Sequence, residues 1–395
     1  MRFAPAARTG SGPRLTPGVC AALLSPLVAL GLCCKPVAAR AGGGTVYVTD
    51  ITANNLGQFA IGSHGSLSAL APPTIATGSG PAGVAVSPDG KSAYVSNGGE
   101  STVSQYDVDP ATGALTPKSP ATVPSGGSFI HVGVVVTPDG RSAYVTNCDE
   151  NSVSQYDVNP ATGALGAKSP AAVAAGKCPL GIAVTPDSKS AYVVNEQGES
   201  VSQYDINPTT GALTPKSPET VSAGFGVSGI AVAPNGTSAY ASGASGVWQY
   251  DINPATGLLS AKSPANVSGP VGGGTDFSTP IVVAPSGKSV YASSGAAVRP
   301  EIFQYDVSKI TGNLTPKTPA AVTTESQPSN LAITRDGKTL YVTITFAEKA
   351  IPEKISVFGA SRKTGALSLK STTTTTGGPL GIAVGTVPHH RHKHH

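Results

Sequence analysis

The residues with the clearest metal-binding chemistry lie at the end of the chain, where five of the last seven residues are histidines. Neutral imidazoles bind Ni²⁺, Cu²⁺ or Zn²⁺. The tail therefore predicts a loosely held divalent metal at His389, His390, His392, His394 and His395. An exposed tail without function is the alternative interpretation. We expect no other cofactor, because the sequence has no Asp-x-Asp-x-Asp-Gly calcium loop, and no Gly-x-Ser-x-Gly motif indicates a serine hydrolase.

The N-terminus has the composition of an export signal. Three arginines precede an apolar run over residues 19–34, and Ala39-Arg40-Ala41 matches the small-x-small cleavage pattern. The run is short for a membrane span, although a retained anchor is the alternative. Residues 1–41 hold five of the 26 basic residues and none of the 22 acidic ones, so the remaining chain is nearly neutral. We therefore predict a signal peptide over 1–41, a secreted or cell-surface protein, and no nucleic-acid partner.

Internal repeats fill the rest of the chain. A turn of the Pro-Asp-Gly type recurs every 48 to 51 residues, and its first positions are Pro88, Pro138, Pro186, Pro234, Pro285 and Arg335. Each turn leads into an Ala-Tyr-Val-like run, then a Gln-Tyr-Asp run, then a Thr-Gly turn. Each unit thus predicts four short strands, which is typical of a propeller blade.

The ends of the chain give the number of blades. Six complete units run from Pro81 to about residue 378, residues 45–71 supply three further strands, and residues 379–384 supply one. Joined, these fragments make a seventh blade and close the ring without a free sheet edge. We therefore predict an all-β, seven-bladed propeller of four-stranded blades over residues 42–388. A monomer is expected, because a closed ring leaves no edge to pair.

The two faces of such a ring differ in their variability. The Pro-Asp-Gly and Thr-Gly turns form one face, the turn face, and are nearly identical in every unit. The turns between strands two and three, with the connections between blades, form the opposite loop face, where the sequence varies. Its polar residues predict a binding face for a protein, a glycan or a small ligand, and its acids a site for a cation or a basic partner, against the alternative of a solvated rim. These residues are Asn97, Glu100, Asn147, Asp149, Glu150, Asn195, Glu196, Glu199 and Asp276.

Two cysteines follow the predicted leader. Cys148 lies in a two-to-three turn and Cys178 in the connection to the next blade. Both positions belong to the loop face at neighbouring blades, and export permits oxidation. We predict a disulfide between them.

The Tyr144-Val145-Thr146-Asn147 run, the Pro-Asp-Gly-Lys/Arg turns and the Asp-x-x-Pro-x-Thr-Gly-x-Leu turns resemble the YVTN and lactonase-like seven-bladed propellers. This family includes 6-phosphogluconolactonases, and the resemblance covers residues 45–388. It implies an active site of His, Arg and Glu side chains at the mouth of the axial channel. A lactone needs a cation near its carbonyl and a base for water.

The candidates for such a site are His131, Arg299 and Glu301, with Asp276 nearby in sequence. His131 lies one position away from the family-like Pro-His pattern, and one step along a strand reverses the direction of a side chain. The first strands of the units carry no acid, base or nucleophile. We therefore expect an exported, non-catalytic scaffold that binds through its loop face. The alternative is a lactone hydrolase or isomerase.

Overall fold

The computed structural model describes residues 43–126, 133–269, 279–294, 300–345, 353–375 and 377–385. The predicted leader, the histidine tail, His131, Asp276 and Arg299 lie outside these residues. The described residues form 28 strands in seven four-stranded antiparallel sheets and contain no α-helix. This confirms the predicted seven-bladed, all-β propeller.

The blades follow one another along the chain. Blade 1 contains β1 (Thr45–Asp50), β2 (Asn55–Ile61), β3 (Leu67–Ala76) and β28 (Pro379–Gly385). Blade 2 contains β4 (Pro81–Val86), β5 (Ser92–Asn97), β6 (Thr102–Val108) and β7 (Leu115–Pro124). Blade 3 contains β8 (Val134–Val136), β9 (Ser142–Asn147), β10 (Ser152–Val158) and β11 (Leu165–Ala174). Blade 4 contains β12 (Pro179–Val184), β13 (Ser190–Asn195), β14 (Ser200–Ile206) and β15 (Leu213–Ser222).

The last three blades repeat this order. Blade 5 contains β16 (Gly229–Val232), β17 (Ser238–Gly243), β18 (Gly246–Ile252) and β19 (Leu259–Val267). Blade 6 contains β20 (Ile281–Val283), β21 (Ser289–Ser293), β22 (Glu301–Val307) and β23 (Leu314–Thr323). Blade 7 contains β24 (Gln327–Ile333), β25 (Thr339–Thr345), β26 (Lys354–Ala360) and β27 (Leu367–Thr374).

The ring is closed by the strand from the C-terminal end. β28 pairs antiparallel with β1, with Val46 opposite Val384 and Tyr47 opposite Ala383. The order of blade 1 is therefore β28-β1-β2-β3. The two ends of the repeat complete one sheet, as predicted.

Neighbouring blades are joined by side chains of the repeat. In blade 2, Gln105 is fully buried; its Nε2 donates to Pro120 O (2.8 Å) and its Oε1 accepts from Leu165 N of blade 3 (2.8 Å). The Tyr94 hydroxyl donates forward to Gly163 O of blade 3 (2.6 Å), and the Tyr106 hydroxyl donates back to Ala76 O of blade 1 (2.7 Å). Aliphatic residues of adjacent sheets pack around these bonds. The Gln and Tyr residues of the repeat thus hold the ring together.

A buried lysine completes each junction from blade 2 to blade 6. In blade 4 the Lys216 ammonium donates to the Asp205 carboxylate of its own blade and to Thr256 O of blade 5 (2.6 Å). We call this arrangement the lysine clamp. It recurs with Lys118, Lys168, Lys262 and Lys317. In blade 1, Ala60 and Leu70 occupy the Asp and Lys positions and pack together as a buried apolar pair. Blade 1 therefore has an apolar residue in place of both the anion and the cation of the clamp.

Candidate functional site

The predicted asparagines of the loop face are buried. Asn97, Asn147 and Asn195 are each at most 1% exposed. The Nδ2 of Asn97 donates to Thr102 Oγ1 (2.9 Å) and to Ser104 Oγ (2.8 Å), and the other two make equivalent bonds. Each leaves its Oδ1 buried without a hydrogen-bond partner. These amides order the two-to-three turns, and their role in binding stays a prediction.

The predicted acids of the loop face do not form a cluster of metal ligands. Glu100, Asp149, Glu150 and Glu199 are exposed. Glu196 is half-buried, and this burial raises the pKa of its carboxyl group. Within the described residues, no three His, Cys, Asp or Glu side chains come together as a metal site. The expected cation site on this face therefore stays a prediction without structural support.

The residues proposed for lactone chemistry are only partly described. Glu301 begins β22 and is half-buried; its backbone carbonyl accepts from Ser294 N (2.9 Å), and its backbone N–H donates to Ser294 Oγ (3.0 Å). Because His131, Arg299 and Asp276 lie outside the described residues, their convergence with Glu301 stays a prediction.

The predicted disulfide is present. Cys148 and Cys178 are bonded across 30 residues of sequence, both are at most 5% exposed, and both pack with Leu180. The bond ties the two-to-three turn of blade 3 to the segment that enters blade 4. It stabilises the loop face at this junction.

The axial strands offer no acid or base. β4 and β12 read Pro-Ala-Gly-Val-Ala-Val and Pro-Leu-Gly-Ile-Ala-Val, and the other described first strands are also free of ionisable side chains. Hydroxyl groups behind them serve the fold: Thr49 Oγ1 donates to Ala82 O (2.9 Å) and accepts from Gly381 N (2.7 Å). Acid–base chemistry among the described residues must therefore lie outside the channel wall.

Asp50 is a buried carboxylate on the loop face. It ends β1 in the position that Asn97 occupies in blade 2, and it is 5% exposed. Its Oδ1 accepts hydrogen bonds from Thr52 N (3.1 Å), Thr52 Oγ1 (2.8 Å) and Ala53 N (3.0 Å). A Cβ atom at Gly377 would clash with this carboxylate, so the glycine lets the chain entering β28 pass close to it. Asp50 is held in place by its own turn.

Glu353 lies close enough to Asp50 to feel its charge, and it immediately precedes β26, the third strand of blade 7. Its Oε2 is buried without a hydrogen-bond partner, and its backbone carbonyl accepts from Thr375 N (2.8 Å). Burial, and secondarily the negative charge of Asp50, raise the pKa of the Glu353 carboxyl group. A glutamate with a raised pKa and an available oxygen is a stronger general base than an exposed one. The Asp50–Glu353 pair is therefore the candidate catalytic site of the described residues.

The pair was not predicted from the sequence, for a physical reason. Asp50 and Glu353 belong to opposite ends of the chain and meet only because the ring closes between blades 7 and 1. One signal was available: Asp50 interrupts a series in which the next three blades carry asparagine.

Among the described residues, no helix has the length and apolar character required to cross a bilayer.

Comparison with known proteins supports a catalytic interpretation. The family model "Lactonase, 7-bladed beta-propeller" matches residues 43–129, 126–271 and 221–384, which together cover most of the chain. No curated protein matches the sequence significantly. The family match shows that the expectation of a non-catalytic scaffold is wrong, and it favours the lactonase alternative. The prediction relied on the absence of acids from the axial strands, which leaves open a site elsewhere in the ring.

Solved structures share the fold at low sequence identity. A proposed 6-phosphogluconolactonase of Bacteroides fragilis is 19% identical, with a TM-score of 0.69 over 86% of this chain and 97% of that one. The periplasmic gluconolactonase of Pseudomonas aeruginosa is 16% identical, with a TM-score of 0.67 over 87% and 99%. The hydrazine synthase of Kuenenia stuttgartiensis is 18% identical, with a TM-score of 0.55 over 77% and 89%. The same fold thus occurs in proteins named for different reactions, so the site must decide the chemistry.

Proposed function

Because the chain belongs to the seven-bladed β-propeller lactonase family, we propose that it hydrolyses a sugar lactone, with Glu353 as the general base. The observation that carries the proposal is the half-buried Glu353 side chain, whose Oε2 atom is buried without a hydrogen-bond partner and whose carboxyl pKa is raised by this burial and by Asp50. In an active site, such a perturbed carboxyl group indicates acid–base work.

The reaction needs one proton carrier. Ionised Glu353 accepts a proton from a water molecule as the water oxygen bonds to the lactone carbonyl carbon. The ring C–O bond then breaks, and protonated Glu353 returns the proton to the departing ring oxygen. The product is the open-chain hydroxy acid, and the carboxylate is regenerated. Asp50 is a positioning residue, since its negative charge favours the basic character of Glu353.

The decisive experiment is a pH-stat assay of the purified chain on gluconolactone and 6-phosphogluconolactone, the lactones named for the similar structures. Glu353→Gln removes the base and nearly preserves the shape of the side chain. We expect kcat/KM to fall about 10²- to 10⁴-fold, the usual contribution of a general base. Glu325→Gln is the matched control, because Glu325 pairs with neighbouring Lys354 and has no place in the proposed mechanism. Unchanged activity of Glu353→Gln would refute the assignment, and an inactive wild type would refute the lactonase proposal for these substrates.

Asp50→Asn separates chemistry from folding. Blades 2, 3 and 4 carry asparagine at this position, so the repeat tolerates the substitution. The charge of Asp50 raises the pKa of Glu353. We therefore expect the acidic limb of the pH–rate profile to move to lower pH in Asp50→Asn, with a smaller loss of rate than in Glu353→Gln. A purely structural Asp50 would leave the position of that limb unchanged.

We also propose that the protein is exported. The basic and apolar leader over residues 1–41 supports this proposal, and so does the Cys148–Cys178 bond, since structural disulfides are typical of oxidising compartments. The test is the N-terminus of the protein recovered outside the cytoplasm. A mature chain that begins near residue 42 is expected, and an intact Met1 on the recovered protein contradicts cleavage.

A further inference from the structure

The junction of blades 7 and 1 lacks the lysine clamp. Lys370 stands in β27 at the position of the clamp lysines, but Gly359 replaces the aspartate of its own blade. The neighbouring turn of blade 1 is shortened to a single 3-10 turn over Ser63–Gly65, so that His64 takes the place of the threonine whose carbonyl accepts the clamp. The Tyr341 hydroxyl still donates to Gly65 O (3.0 Å). The blades remain joined, while the acceptors of the lysine have changed.

Lys370 is exposed, unlike the five clamp lysines. The side chains of those lysines are at most 4% exposed, and each reaches an aspartate. The stem of Lys370 lies across Gly359 and fills the space of a Cβ atom there. Within the described part of the chain, no carboxylate pairs with it. Blade 1 lost the clamp by replacing both charges with Ala60 and Leu70, whereas blade 7 lost only the anion.

Lys370 lines a groove of about 1150 Å³ on the turn face. Arg335, Lys338 and His64 line the same groove, and its two acids are Asp89 and Asp336. Asp336 is engaged by Lys338 (2.6 Å), and Asp89 lies 3.7 Å from Lys91. Arg335 and Lys370 are therefore the cations that this groove offers to a ligand. The turn face, expected to be nearly identical in every unit, differs at this junction.

We propose that this groove binds a small oxyanion ligand, whose phosphate or dicarboxylate group takes the place of the missing aspartate beside Lys370, with Arg335 as the second cation of the same groove. Arginine and lysine are the side chains that bind such groups through charge-assisted hydrogen bonds. The groove lies on the face opposite the Asp50–Glu353 pair. The proposal is therefore independent of the lactonase assignment and describes a second site.

The test is isothermal titration calorimetry of the full chain at low ionic strength, with inorganic phosphate and succinate in separate arms. Saturable binding of one equivalent is expected in at least one arm, and the arm that binds identifies the ligand chemistry. Gly359→Asp rebuilds the clamp partner, and Lys370→Leu copies Leu70 of blade 1. Each is expected to weaken binding at least about tenfold, as for the loss of one charge-assisted hydrogen bond.

Two controls keep the result interpretable. Lys189→Ala removes an exposed lysine from the equivalent groove between blades 4 and 5, and should leave affinity within about twofold, since that lysine is remote from the proposed site. Glu353→Gln should leave it unchanged, which separates this site from the catalytic proposal. Thermal melting verifies that each variant is folded. Non-saturable binding by the wild type in both arms, or wild-type affinity in both Gly359→Asp and Lys370→Leu, would overturn the proposal.

Discussion

The two partners of a lysine clamp should respond very differently to removal. In the blade 4 clamp, the Lys216 side chain is 2% exposed, whereas that of Asp205 is 61% exposed. Asp205→Ala leaves an ammonium group buried with only Thr256 O as an acceptor. Lys216→Leu leaves an aspartate that water can solvate, beside an exposed threonine. The asymmetry of burial therefore predicts an asymmetry of stability.

The magnitudes follow from the cost of an uncompensated charge. Breaking a buried ion pair by removing one partner costs about 3–5 kcal/mol, and the retained carbonyl bond lowers this to about 2–3 kcal/mol for Asp205→Ala. Lys216→Leu loses a pair whose anion is already solvated and gains apolar burial, so its free energy of unfolding should change by less than about 1 kcal/mol. The double variant copies Ala60 and Leu70 of blade 1 and should match Lys216→Leu. The coupling energy between the positions is then about 2 kcal/mol.

Equilibrium urea unfolding measures these differences. The single tryptophan, Trp248, reports on blade 5 by fluorescence, and circular dichroism reports on all blades. Midpoint shifts at constant m-value give the changes in free energy. A Lys216→Leu variant that is destabilised as much as Asp205→Ala would refute the argument from burial. A double variant less stable than Asp205→Ala would refute it as well.

Three further predictions concern the frame of the propeller. All twelve tyrosines are buried, and burial raises the pKa of Tyr47, Tyr94 and Tyr106 to about 12, above the unfolded value of about 10. The contribution of these phenols to stability should therefore be complete below pH 10 and fall as the pH approaches 12. Phenolate absorbance that appears near pH 10 in the folded protein would contradict this. Replacing Cys148 and Cys178 by alanine should lower the free energy of unfolding, measured in urea, by about 3 kcal/mol, because the disulfide closes a loop of 30 residues in the unfolded chain. An unchanged urea midpoint would contradict this. Deleting residues 379–385 removes β28 and leaves β1 as an open edge, so the unfolding transition followed by circular dichroism should lose its cooperativity. A monomeric truncated chain that still unfolds cooperatively would contradict the role of closure.

The fold could be predicted from the sequence because the same four-strand pattern recurs in six complete units. The Pro-Asp-Gly turns, the period of two in each strand and the fragments at the two ends lead directly to blades and closure. The disulfide followed from the loop positions of Cys148 and Cys178. These features depend on local pattern and on topology, which a single sequence contains.

The candidate site was beyond reach of the same reasoning. The raised pKa of the Glu353 carboxyl group comes from its partial burial and from the charge of Asp50. Both depend on the close approach of residues that are far apart in the sequence. The groove at Lys370 was missed because its position matches the repeat, while the change lies in its partners Gly359 and His64. Departures from a repeat gain meaning only when the contacts of the regular units are known.

The pairing of β1 with β28 also orders events in time. The first sheet of the chain cannot be completed until residues 379–385 have left the ribosome, so the ring stays open while the preceding blades are made. Asp50 is made early and Glu353 late, and the two meet only when blade 1 acquires its final strand. A chain that stops before residue 379 therefore lacks both the closed ring and the carboxylate pair, and the activity proposed for this protein reports that the ring has closed.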